Sequence, residues 1–446
     1  FNRQDFAALS QTFVAVHVDG DRPGAQKLGQ QFKVRGYPTL VLFRPDGSEI
    51  TRLPGEAEAP QVMELLRLGL AGGRSVRDVL ADARAGKALT ASEWRLLALY
   101  SWETDDEQLL GTADAAGVLA ALAPAAGSAG ADTATRLWLK ALAASDDGKG
   151  LKADEALRER VRKVLADGTQ SRALADVIGY GAPAMVRALA DTPDARQPWV
   201  ASFDAVLRRL QADASLSRAD RLTALVSRIE LARLELPRRE LRPALPEALL
   251  REVREHVQAA DRGITDAYER QAVIPYAAHA LERAGLWQDS EALLQANLSR
   301  SVSAYYLMSQ LGSLHRKLGR PDQALQWYAQ AYEKSEGPST RLQWGAGYLQ
   351  ALIDLAPGQT ARIEATARQL FTEAGQDSGA FYKRSARSLE RIGRALLTWG
   401  GQDAARAASL QRLRGQLDAL CLKVDAADGR QANCRALLAT AAKPAG

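Results

Sequence analysis

The chain has 446 residues, of which 46% are hydrophobic and 25% charged, and a formal net charge of +5. That length exceeds one hydrophobic core, and the composition excludes a disordered or fibrous chain. Its basic balance is not gathered into a patch: arginines alternate with acids, as in Asp154, Glu155, Arg158, Glu159 and Arg160, which reads as solvated helix faces and argues against a nucleic-acid partner.

Strand character is confined to the first 70 or so residues. Phe13 to Val18 is β-rich and stops at Asp19-Gly20-Asp21, so the pattern predicts a strand. Between Pro23 and Lys33 the apolar residues Ala25, Leu28 and Phe32 fall on one helical face. Thr39 to Phe43 is a near-continuous apolar run, suited to a strand covered on both faces. Pro45-Asp46-Gly47 has turn chemistry, and Ser48 to Leu53 returns as the second strand of a hairpin. A helix is expected from Ala59 to Leu70, with Val62, Leu65, Leu66 and Leu70 inward.

After Gly72-Gly73 the apolar period stays helical to the end, in a chain rich in Ala and Leu. Thr112 to Ala134, with Pro124 inside it, reads as a weak helix plus a loop, and Ala121 to Ala134 and Ser145 to Gly150 read as flexible connectors. Pro237, Pro243 and Pro246 mark a break between two helical groups. The expected regions are 1–72, 73–236 and 237–446.

An internal repeat runs from about Gln271 to Pro338. Leu311, Gly312, Ala324, Tyr328 and Ala331 occupy alternating small and bulky positions, and 34 positions earlier stand Ala277, Ala278, Ser290, Leu294 and Asn297. Only Asn297 fits poorly. Gly285-Leu286-Trp287 and Gly319-Arg320-Pro321 fall at equivalent turns. The period resembles that of the tetratricopeptide (TPR) family, in which antiparallel helices approach closely at small residues. Leu342 to Ala374 and Phe381 to Leu420 look like degenerate helix pairs.

Phe6 to Leu70 resembles the second half of a thioredoxin domain. The residues that carry the likeness are Phe13-Val-Ala-Val-His-Val-Asp19, Phe32-Lys-Val-Arg-Gly-Tyr-Pro-Thr39, Leu40-Val-Leu-Phe43, Pro45-Asp-Gly47 and Pro54-Gly55. The resemblance implies that Pro38 is a cis-proline, the isomer that only an X–Pro bond reaches at low cost. It also implies that Gly36, Tyr37, Pro38 and Thr39 bind the backbone of an extended substrate. The family's chemistry further requires a Cys-x-x-Cys whose first thiolate is the nucleophile. No such motif occurs in this sequence, so no catalytic residue is assigned. The chain opens at Phe1, without Met or signal peptide, and two readings follow: the catalytic start of the domain lies upstream, or the domain is a redox-dead remnant. The first is preferred, because an unpaired central sheet edge makes a poor stable fold.

The two cysteines, Cys421 and Cys434, flank a turn-rich stretch. A structural disulfide in an oxidising compartment is the first reading, and a relay dithiol is the alternative. Their spacing does not suit zinc, and His17, His256, His279 and His315 show no ligand spacing with them. No phosphate loop or nucleophile elbow occurs. No metal or other cofactor is therefore expected. Trp287, Trp327, Trp344 and Trp399 read as helix-packing aromatics, although some could anchor a peptide in a groove.

The expected fold class is mixed: a partial thioredoxin-like α/β domain followed by a large all-α, TPR-like array. The expected function is thiol–disulfide exchange by the complete protein, with the array binding protein or peptide partners. The alternative is a non-catalytic interaction scaffold. No stretch reaches the roughly 18 apolar residues of a membrane span. The combination resembles bacterial envelope proteins, which implies the periplasm, with the cytoplasm as the alternative.

Overall fold

The computed structural model describes residues 4–34, 36–54, 58–102, 109–145, 150–426 and 429–439. A small α/β segment at the N-terminus is followed by a long series of helices. The fold class is that of a partial thioredoxin-like domain joined to a helical array.

The hairpin of the α/β segment follows from its turn chemistry. Strand β1 is Thr39–Phe43 and strand β2 is Glu49–Pro54. They pair antiparallel, with Leu40 opposite Leu53 and Leu42 opposite Thr51, and an irregularity places Phe43 opposite Glu49. Gly47 takes φ +82°, a conformation that glycine adopts without steric cost. The Asp46 carboxylate accepts from the Ser48 backbone N–H at 2.9 Å and from its hydroxyl at 2.6 Å. Leu42, Ile50 and Leu66 then bury against Phe6, Leu9, Phe13, Leu40, Val62 and Leu70. Leu66 belongs to the helix Ala59–Leu70. Within that helix Gly69 faces the Leu42 side chain so closely that a Cβ would clash with it.

Phe13 to Val18 is not a strand. It has no ladder partner among the described residues, and Val14 and Val16 are 89% and 77% exposed. β-propensity measures fit to a paired, half-buried surface, and without a neighbour the same residues remain irregular.

A second correction concerns Ala121 to Ala134, which is helical over most of its length. The helix Ala115–Ala125 starts at Asp114, whose carboxylate accepts from the Gly117 N–H at 2.8 Å. A 3-10 turn, Ala126–Ala129, and the helix Ala131–Ala143 follow. Pro124 falls in the last turn of the first helix. Ala116, Leu119, Ala123 and Ala126 are buried, so close packing by small residues holds what looked like a loop. Of the other expected connector, residues 146–149 lie outside the described residues.

The described chain divides into two compact units. The first takes in residues 1–15, 36–263 and 276–286. Its helices enclose one core around Leu65, Val79, Trp94, Leu97 and Leu137, and another around Val161, Ile178, Met185, Phe203 and Leu207. The loop holding Pro237 and Pro243 separates the helices Arg218–Ala232 and Glu247–Gly263.

The second unit takes in residues 16–35, 264–275 and 287–446. Helices Tyr305–Lys317 and Pro321–Lys334 form a hairpin, and so do Pro338–Leu355 with Thr360–Gln376 and Lys383–Gly400 with Ala404–Cys421. Small residues sit where helices approach. A Cβ on Gly312 would stand 2.9 Å from the Tyr328 ring, and one on Gly345 would strike Leu370 and Tyr332. Trp399 is buried and donates to the Pro357 carbonyl at 2.9 Å, whereas Trp287, Trp327 and Trp344 are half-buried.

Candidate functional site

The loop of interest begins where the helix Ala25–Gln31 ends. Lys33 takes φ +50°, its N–H bonds the Gln30 carbonyl at 3.1 Å, and the Val34 N–H bonds Gly29 at 2.7 Å. This is a Schellman termination, with lysine in the position that glycine usually fills. Arg35 lies outside the described residues.

From Gly36 the chain runs exposed through Tyr37 and Pro38 into β1. The Tyr37–Pro38 peptide is cis. The Thr39 hydroxyl donates to the Gly36 carbonyl at 2.7 Å and closes the loop on itself. Tyr37 is 45% exposed, and a Cβ built on Gly36 would meet nothing within 4 Å. Beyond the loop, β1 pairs with β2, its one ladder partner among the described residues. Of the four residues named from the sequence, Gly36, Tyr37 and Pro38 are exposed and Thr39 is half-buried.

A second polar assembly was not legible in the sequence. Asp21 accepts from the Thr340 backbone N–H at 2.9 Å and from its hydroxyl at 2.6 Å, and pairs with Arg384 Nη2 at 2.7 Å. Gln26, 1% exposed, donates to the Gly20 carbonyl at 2.7 Å and accepts from the Arg384 N–H at 3.1 Å. Asp21 therefore caps the helix Pro338–Leu355, whose own N-cap, Gly337, has no side chain to do so. By position alone Asp21 looked like a turn residue, and its partners lie more than three hundred positions away.

Cys421 and Cys434 are joined in a disulfide with their Cα atoms 5.6 Å apart, and both are buried. No group of three or more His, Cys, Asp or Glu that could hold a metal occurs among the described residues. His256 is pushed down to about 4 by burial and then by the charges of Arg221 and Arg228. Burial also lowers His315, which lies 3.5 Å from Glu291. His279 stacks on Tyr276 at 6.0 Å. The imidazoles of His256, His279 and His315 thus stand among packing and polar contacts.

The loop, the hairpin and the helix Ala59–Leu70 that packs on it fall together within one matched segment. Residues 1–69 match the family model of the thioredoxin-like domain. The match ends with the helix Ala59–Leu70, and the helical array lies beyond it. A comparison with curated proteins found no match to the chain. No helix among the described residues is long and apolar enough to cross a membrane.

Proposed function

We propose that this chain is the substrate-recognising part of a thioredoxin-family thiol–disulfide oxidoreductase, with Gly36, Tyr37, Pro38 and Thr39 binding an extended protein segment. The observation that carries the reading is the loop Gly36–Thr39, exposed over Gly36, Tyr37 and Pro38 and leading into β1 inside the matched residues. In the exchange reaction a thiolate attacks a substrate disulfide, forms a mixed disulfide, and releases the substrate's other thiolate. The only cysteines of this sequence, Cys421 and Cys434, are tied to each other and buried. Exchange by the complete protein therefore depends on a Cys-x-x-Cys outside these 446 residues.

The helical array binds protein partners in this reading. Its support is the 34-position frame, in which Gly312 meets Tyr328 as closely packed TPR-like helices require. A surface for such a partner is offered by Tyr305, Tyr306 and Trp344, whose rings lie 5.1 to 6.2 Å apart. The disulfide favours an oxidising compartment, the periplasm. The lack of a free thiol in the sequence favours a second reading, a scaffold that recognises without exchange.

Insulin reduction in the presence of dithiothreitol tests the division of labour. This chain should not accelerate it above the dithiothreitol background, whereas brisk reduction would overturn the assignment. If a Cys-x-x-Cys domain is completed upstream, the same assay should turn positive; if it stays negative, the scaffold reading stands.

A further inference from the structure

In the first unit, arginines crowd a small pocket. Its volume is about 110 Å³, and Arg187, Glu230, Arg233, Arg238, Arg283 and Pro183 are among the residues that line it. The positions come from three helices and one loop. Arg187 is in the helix Ala175–Leu189, Glu230 in Arg218–Ala232, with Arg233 at its C-cap, and Arg283 ends Ala267–Arg283. Arg238 comes from the proline-rich loop and is exposed at the rim.

Four arginines and one glutamate are among its lining residues. That glutamate, Glu230, is engaged by Arg283 through two contacts, one of them at 2.8 Å. The nearby Glu240 carboxylate accepts from the Arg242 backbone N–H at 2.7 Å. Arg233 is 4% exposed, and its two Nη groups donate to the carbonyls of Arg283 and Glu240, each at 2.8 Å. These bonds satisfy one carbonyl at a helix end and one in the loop, both of which would otherwise repel an anion. Its Nε is buried and has no hydrogen-bond partner among the described residues. A buried cation with an unused donor is costly. Burial first, and then the charge of Arg283, push the Arg233 guanidinium below its ordinary value, against the opposing charges of Glu230 and Glu240.

We propose that this pocket binds one small oxyanion, a phosphate or carboxylate group, held by Arg233 with Arg187 and Arg238 at the mouth. The space exceeds the roughly 10–15 Å³ that one water needs, so it admits an oxyanion with its oxygens directed at several donors. Guanidinium forks match phosphate and carboxylate geometry. The inference is independent of the Gly36–Thr39 reading.

The test is isothermal titration of the full chain with sodium phosphate and, separately, with sodium acetate, at constant ionic strength. Saturable one-to-one binding of either anion is expected, weakened about tenfold or more by Arg238→Gln and by Arg187→Gln. Tighter phosphate binding would identify a phosphate-bearing ligand, and tighter acetate binding a carboxylate-bearing one. Arg233→Met should abolish binding. If that variant fails to fold, the two mouth variants decide, because each removes a more accessible side chain. Arg412→Gln, in the other unit, is the control and should bind as the native chain does. Absence of saturable binding by both anions, or native affinity in both mouth variants, overturns the proposal.

Discussion

Asp21 and Thr340 are joined twice, through the Thr340 backbone N–H at 2.9 Å and its hydroxyl at 2.6 Å. The bond makes the segment that follows Phe13–Val18 an element of the second compact unit, because the aspartate supplies the cap that Gly337 lacks. Loss of an N-cap costs about 0.5–2 kcal/mol, and Arg384 would lose its carboxylate as well. Asp21→Ala should therefore lower stability by about 1–3 kcal/mol, read from urea unfolding. Asp21→Asn, which keeps a capping oxygen, should lose less.

Asn297, the misfit of the 34-position frame, is the partner of a buried cation. Its Oδ1 accepts from Arg270 Nη1 at 2.7 Å, while Arg270 Nη2 bonds the Ile264 carbonyl at 2.6 Å. Arg270 is 4% exposed and Asn297 fully buried. Asn297→Ala should cost about 2–3 kcal/mol, since it leaves part of a guanidinium unsatisfied. Asn297→Asp, which retains the acceptor, should cost less in the same denaturation series.

Gly312 has no room for a side chain beside Tyr328. Gly312→Val should destabilise by about 1–3 kcal/mol through overpacking. Tyr328→Ala, harmful by itself, should recover part of that loss in the double variant. Additive losses in a double-mutant cycle would show that the two positions do not meet.

The Glu364 carboxyl is held at about 2, below its ordinary value of 4.5, by its hydrogen bonds to Arg412 foremost, with Arg368 and Ser409 adding to them against burial. A depressed folded-state value means that this group's contribution is whole above pH 4.5 and is lost as pH falls toward 2. Glu364→Gln should flatten the fall in urea midpoint across that window. Because the Arg412 side chain is 53% exposed, the effect should shrink in high salt.

The disulfide spans a separation of 13 residues. A loop of that order contributes about 2–4 kcal/mol by restricting the unfolded chain. Dithiothreitol should lower the melting temperature of the native chain and leave a Cys421→Ala/Cys434→Ala protein unchanged.

Much of the α/β segment was readable because its signals are local. The apolar run Thr39–Phe43, the turn at Gly47 and the spacing of Val62, Leu65, Leu66 and Leu70 each specify an element from neighbouring residues. Phe13 to Val18 failed that logic, since a strand exists only with a partner. Ala121 to Ala134 failed in the other direction, because buried alanines replaced the bulky residues that make a helix visible. The cap made by Asp21, the Asn297–Arg270 bond and the arginine pocket had no sequence signal. Each is created by residues brought together only in the folded chain.

The most direct measurement is the affinity of the chain for fluorescent, carboxymethylated insulin B chain, beside Tyr37→Ala and Gly36→Val proteins of matched melting temperature. Recognition by the Gly36–Thr39 loop predicts saturable binding by the native chain and a loss of about tenfold in each variant. Equal affinity in all three would contradict it.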